Sequence, residues 1–255
     1  MPPKSPGFLQ SASYVVKGWR LVRQPGLRRF VLFPLLVNLL VFGGIGWWVS
    51  AWATDWLDSL GLFSRWGDWW IVQALQTVLN WLVSVILVFS LAFVFTLLAN
   101  LIGAPFNGLL AERVEAYLTG KGTGPSPSWL TLINSLPRLM GSEIRKLLYL
   151  LICILPLLLL QFIPLINLLA PVLLFLFGAW MFALEYMDYP LGNHGALFKE
   201  VRQTMRARRR AAYGFGTAVA VISMIPIANL FIMPVAVAGA TALYVDSFQD
   251  TTSST

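Results

Sequence analysis

The chain has 255 residues, of which 58% are hydrophobic and 11% charged, and its 18 lysines and arginines against 11 acids give a formal charge of +7. With a mean hydropathy of +0.73 and eleven tryptophans, it lies outside the usage of soluble globular domains and belongs in a membrane. The single cysteine, Cys153, sits in an apolar run, which excludes a disulfide framework and a cysteine-built metal site.

Residues 1–30 hold Lys4, Lys17, Arg20, Arg23, Arg28 and Arg29 and no acid, set against Phe8, Leu9, Tyr14, Val15, Val16, Trp19 and Leu21. This pattern predicts an amphipathic helix at the membrane surface. It ends in "QPGLRRF", Gln24 to Phe30. Proline is pre-organised for a first helical turn, so the amides of Gly26, Leu27 and Arg28 are expected to point outward, at the positive end of a helix. The Arg28 and Arg29 guanidiniums add forked donors suited to a tetrahedral dianion. The same arginines fit the charged collar of a membrane helix equally well.

Residues 31–53 carry no charge and reach about 35 Å as a helix, enough to span a bilayer; they are too long for a cleaved signal and lack its small-residue cleavage site. Residues 69–102 reach about 51 Å, so a second transmembrane helix is expected there, tilted or projecting, and stopped before Pro105. Between them Asp55, Asp58 and Asp68 face only Arg65, among tryptophans that run from Trp47 to Trp70 as an interfacial belt. "TGKGTG" at Thr119–Gly124 has the wrong spacing for a phosphate loop and reads as a flexible link, so no use of ATP is expected.

The later apolar runs are broken by proline: Pro156 and Pro164, Pro171, Pro226 and Pro234. Proline in lipid needs neighbouring protein to cover the freed carbonyls, so 147–186 and 213–245 read as two bent, partly inserted hairpins. Their tips echo each other as "IPLINL" at Ile163–Leu168 and "IPIANL" at Ile225–Leu230. The basic run from Lys199 to Arg210 reads as attraction to anionic headgroups, and with the basic N-terminal segment it marks the cytoplasmic face. Asn38, Asn100, Asn107, Asn167 and Asn229 are candidates for lining a polar path, although hydrogen bonding between helices is the commoner role for such residues. Glu185 and Asp188 sit three apart, on one face if the helix continues, and with His194 in "EYMDYPLGNHG" they are candidates for a metal or acid–base site. Their spacing is not a recognised ligand pattern, and Pro190 with two glycines reads as a helix end and turn.

The expected fold is an all-α membrane protein. It is one integral membrane domain with two long transmembrane helices, two Pro-bent, partly inserted helical hairpins and an N-terminal amphipathic helix. Because only two segments clearly span, a lone subunit encloses a water path poorly, and a homo-oligomer is expected.

"KGWRLV" at Lys17–Val22, "QPGLRRFVLFPLLVNLL", "ANLIGAPFNGLLAERVEAYLTG" at Ala99–Gly120, "APVLLFLFGAWMFALEYMDYPLGNHG" at Ala170–Gly195 and "MIPIANLFIMPVAVAGATALYVD" at Met224–Asp246 resemble, in order and over nearly the whole chain, the CysZ sulfate permease family. The resemblance implies a multi-pass protein of the bacterial inner membrane that brings in sulfate for cysteine biosynthesis, built from two long transmembrane helices and partly inserted helical pairs. It implies sulfate binding at Gly26, Leu27 and Arg28, with Arg29 following. Sulfate, membrane lipids and further copies of the chain are the expected partners, with no cofactor and no nucleic acid. A channel-like or ion-coupled permease is the favoured mechanism. An accessory subunit that binds sulfate without conducting it is the alternative.

Overall fold

The computed structural model describes residues 6–33, 36, 40, 43–44, 69–121 and 129–248. Most of the expected span at 31–53, the Asp55–Asp68 linker, most of the tryptophan belt and Asn38 lie outside the described residues, as does the side chain of Asn100. Among the described residues the helices are α1 (Phe8–Leu21), α2 (Trp70–Thr119), α3 (Trp129–Leu159), α4 (Ala170–Asn193), α5 (Phe198–Ala207), α6 (Arg209–Ser223) and α7 (Pro226–Ser247), with short 3-10 turns at Leu160–Phe162 and Ile166–Leu168. No strand occurs among them. The chain divides into two compact units, one of Met1–Val31 with Asn107–Thr255, the other of Leu32–Phe106.

Proline stops fewer helices than the sequence predicts. Helix α2 runs through Pro105 to Thr119, α3 through Pro156 to Leu159, and α4 through Pro190 to Asn193. An internal proline costs about 3 kcal/mol, and in helices of 24 residues or more the remaining ladder and the packing outweigh it. Where proline does break the chain, it acts on the residue before it. Ile163 and Ile225 are both extended, at φ −96°, ψ 115° and φ −90°, ψ 113°, as steric conflict with the following ring requires. In both tips the asparagine amide then donates to the isoleucine carbonyl, Asn167 to Ile163 at 3.0 Å and Asn229 to Ile225 at 2.8 Å. The repeated motif is thus one turn used twice. After Pro226 the chain enters α7 directly, whereas after Pro164 it passes through Leu165 at φ 68° before α4 begins.

Helices α3 and α4 form an antiparallel pair. Trp180 Nε1 donates to the Tyr149 hydroxyl at 3.1 Å, and farther from the turn Lys146 Nζ lies 2.9 Å from Glu185 Oε2. Among the described residues one helical stretch, Ile166–Asn193, is long and apolar enough to cross a membrane, with 22% of its most apolar window buried in the protein. The tips are apolar and open: Phe162 is 83% exposed, Leu165 85% and Ile227 80%. Surfaces of this kind are costly in water and natural in lipid.

The first unit closes around small residues. Helix α1 buries Ser11, Tyr14, Val15, Gly18 and Leu21, spaced three or four apart as one helical face requires. That face packs on α6 and α7, so α1 is docked on helices as well as amphipathic. A Cβ at Gly18 would collide with the Val235 carbonyl, one at Gly214 with the Phe8 carbonyl, and one at Gly216 with the Ala179 carbonyl. Close approach through small residues is the usual way membrane helices gain dispersion energy.

Candidate anion site after the first helix

Helix α1 positions the segment that follows it. Lys17 Nζ is 2.6 Å from Asp246 Oδ2 on α7, and the Tyr14 hydroxyl donates to the same oxygen at 3.0 Å. Burial, then that hydrogen bond and the carboxylate charge, push the Tyr14 phenol up to about 12, so it stays a neutral donor. The chain leaves α1 through Val22, whose amide donates to the Gly18 carbonyl at 3.0 Å, and Gln24, whose amide donates to Leu21 at 2.9 Å.

Pro25 and Gly26 then make a turn before the helix rather than its first turn. The Gln24 carbonyl accepts from the Leu27 amide at 3.1 Å, and Gly26 has φ +94°. Proline at the second position and a positive φ at the third are the marks of a type II turn. Leu27 is buried and pins the turn, and regular helix begins at residue 28. The expected trio of outward amides is reduced accordingly. Those of Leu27 and Arg28 both donate to the Gln24 oxygen, at 3.1 and 3.3 Å, while that of Gly26 has no backbone acceptor among the described residues. Arg28 and Arg29 are exposed, with Arg29 lying 5.1 Å from the Phe30 ring. Neither is ion-paired among the described residues. Two exposed guanidiniums beside the Gly26 turn form an open cationic surface, suited to an anion that must also leave.

The described candidate asparagines, Asn107, Asn167 and Asn229, occupy different surroundings. Asn107 is buried, its Nδ2 3.5 Å from the Tyr189 hydroxyl. Asn167 and Asn229 sit exposed at the two tips, where their backbones serve the Ile-Pro turn. The imagined acid–base group is divided. His194 Nε2 lies 2.9 Å from Glu115 Oε1, whereas Glu185 and Asp188 both face Lys146, at 2.9 and 3.4 Å, with Glu143 at 3.2 Å. Among the described residues no group of His, Cys, Asp or Glu has the arrangement to hold a metal ion.

The pairing of Lys146 with Glu185 and Asp188 is what sequence reasoning missed. Burial pulls the lysine ammonium down, but Glu185 and Asp188 push it up by more, so it lies above its ordinary value and stays charged. The signal was present. Two acids three apart in an apolar helix require a cation from a neighbouring helix, and Glu143 three residues before Lys146 marks the face that supplies it.

The family model described as "Sulfate transporter CysZ/Etoposide-induced protein 2.4" matches residues 14–234, a stretch that includes the end of α1, the Pro25–Gly26 turn and both Ile-Pro turns.

Proposed function

The chain belongs to this sulfate transporter family, and from that premise we propose that it carries sulfate across the bacterial inner membrane for cysteine biosynthesis, capturing the ion at Gly26, Leu27, Arg28 and Arg29. The observation that carries this reading is the pair of exposed arginines, Arg28 and Arg29, held at a helix start by the Gly26 turn. Each guanidinium offers a planar fork of donors that matches two oxygens of a tetrahedral dianion. Leu27 contributes by anchoring the turn rather than by touching the ion, and the Gly26 amide adds a fixed dipole.

Sulfate holds its water strongly, so a conducting protein must replace that shell without trapping the ion. An exposed site with few donors meets this need better than a buried cage. Movement is channel-like or coupled to an ion, without ATP hydrolysis, and several copies of the chain assemble to enclose the path. Asn107 and the two tip asparagines are offered as lining groups, together with Asn38 and Asn100.

Uptake of labelled sulfate into liposomes that contain only the purified protein tests the proposal. Uptake above that of empty liposomes is expected. Sulfate binding with no uptake would replace it by the accessory role, a subunit that presents sulfate to another conductor.

A further inference from the structure

A groove of about 260 Å³ runs between α1 and the tip of the α6–α7 hairpin. Its walls are Val16 and Trp19 from α1, Ile222 from α6, and Ala228, Ile232 and Val235 from α7, all apolar. At its rim Phe231 packs edge-on against Trp19 with ring centroids 6.2 Å apart, and the Arg23 guanidinium lies 4.8 Å from the centre of the same indole ring. Arg23 is exposed, as is Arg20 three residues before it. Neither is ion-paired among the described residues, and residues 6–33 contain no acid. The groove opens beside Met224, Ile225 and Ile227, exposed apolar residues of the hairpin tip.

An apolar slot with a cationic rim suits an amphiphile that can lay one acyl chain in the slot and one negative head on the rim. We propose that this groove binds an acyl chain of an anionic phospholipid, with the headgroup phosphate on Arg23 and Arg20 and the chain lying between α1 and α7. The charge decides between occupants. A second copy docked here by two-fold symmetry would bring an equally basic rim against Arg20 and Arg23, and like charges at a partly desolvated rim repel. A lipid phosphate is complementary to that rim, and a chain lying in the slot gains close dispersion contacts with its walls. The site is separate from the sulfate reading, since none of its residues lies in Gly26–Arg29.

Native mass spectrometry of the detergent-solubilised protein, titrated with phosphatidylglycerol and with phosphatidylcholine of identical chains, tests this. The wild type is expected to hold phosphatidylglycerol more tightly at its strongest site. Arg23→Gln should lower that preference by about fivefold, the worth of one cation near an anionic headgroup, whereas Arg209→Gln, an equal loss of charge away from the groove, should leave it. Ala228→Phe fills the slot and should remove the strongest site for both lipids, with helix content by circular dichroism confirming the fold. Arg23→Gln alters only an exposed side chain, so it decides the matter even if Ala228→Phe misfolds. The proposal falls if the wild type treats the two lipids alike, if Arg23→Gln leaves the preference unchanged, or if short-chain phosphatidylglycerol competes as well as the long-chain form. It falls too if a folded Ala228→Phe keeps its lipid, or changes subunit number in place of lipid count, which would make a second copy the occupant.

Discussion

At Gly26 a side chain would meet nothing within 4 Å, yet its φ of +94° is one that L-residues rarely adopt. The cost of substitution is therefore conformational and not steric. Gly26→Val should lower stability by roughly 1–2 kcal/mol and weaken sulfate binding, while Gly26→Asn, which tolerates a left-handed backbone, should lose much less of both; thermal denaturation and calorimetry on the two variants check this. Leu165 is the converse case, a non-glycine residue at φ 68° with an exposed side chain, so Leu165→Gly should raise stability by up to about 1 kcal/mol. The sequence made the Pro25–Gly26 pair visible as punctuation and Arg28 and Arg29 as donors. It did not reveal which amides stay free, because Pro-Gly fits both a helix start and a type II turn. That choice was made by the buried Leu27 and the Gln24 carbonyl.

Among elements, α1 was legible as a helix and as amphipathic, but not as docked. Lys17 and Asp246 are 229 positions apart in sequence, and no local pattern joins them. The docking rests on backbone contact through Gly18, so Gly18→Val should force α1 off α7 and raise hydrogen exchange along Phe8–Leu21, whereas Val16→Ala, on the open face, should not. Tyr14 adds a pH dependence. Its phenol is raised from 10.0 to about 12 in the folded protein, so its contribution is complete below about pH 10 and is lost as pH rises through about 12; the same exchange measurement should show α1 loosening in that window. Lys146, with its side chain 12% exposed, holds α3 to α4 by facing three carboxylates. Lys146→Met should cost about 1–2 kcal/mol, because Glu143 and Glu185 are 58% and 40% exposed and screened by solvent while the less exposed Asp188 loses its cation, read as a lower thermal midpoint. The two Ile-Pro turns were legible because Ile-Pro imposes the same extended residue each time. The helix ends were not, since Pro105, Pro156 and Pro190 are overridden by long apolar ladders that no local rule weighs.

For the whole molecule, composition points to a membrane, and membership of a sulfate transporter family agrees with a transport role there. A net charge of +7 draws anions toward the protein in general, so sulfate recognition must be separated from bulk attraction. The chain contains a natural control in Arg209 and Arg210, a second exposed arginine pair away from the Gly26 turn. Titration calorimetry of sulfate should therefore compare the wild type with Arg28→Ala/Arg29→Ala and with Arg209→Ala/Arg210→Ala, all equally folded by circular dichroism. Loss of affinity by at least about tenfold in the first variant, the worth of one charge-assisted hydrogen bond, with little change in the second, is the result expected. Equal affinity in all three proteins would contradict capture at Arg28 and Arg29.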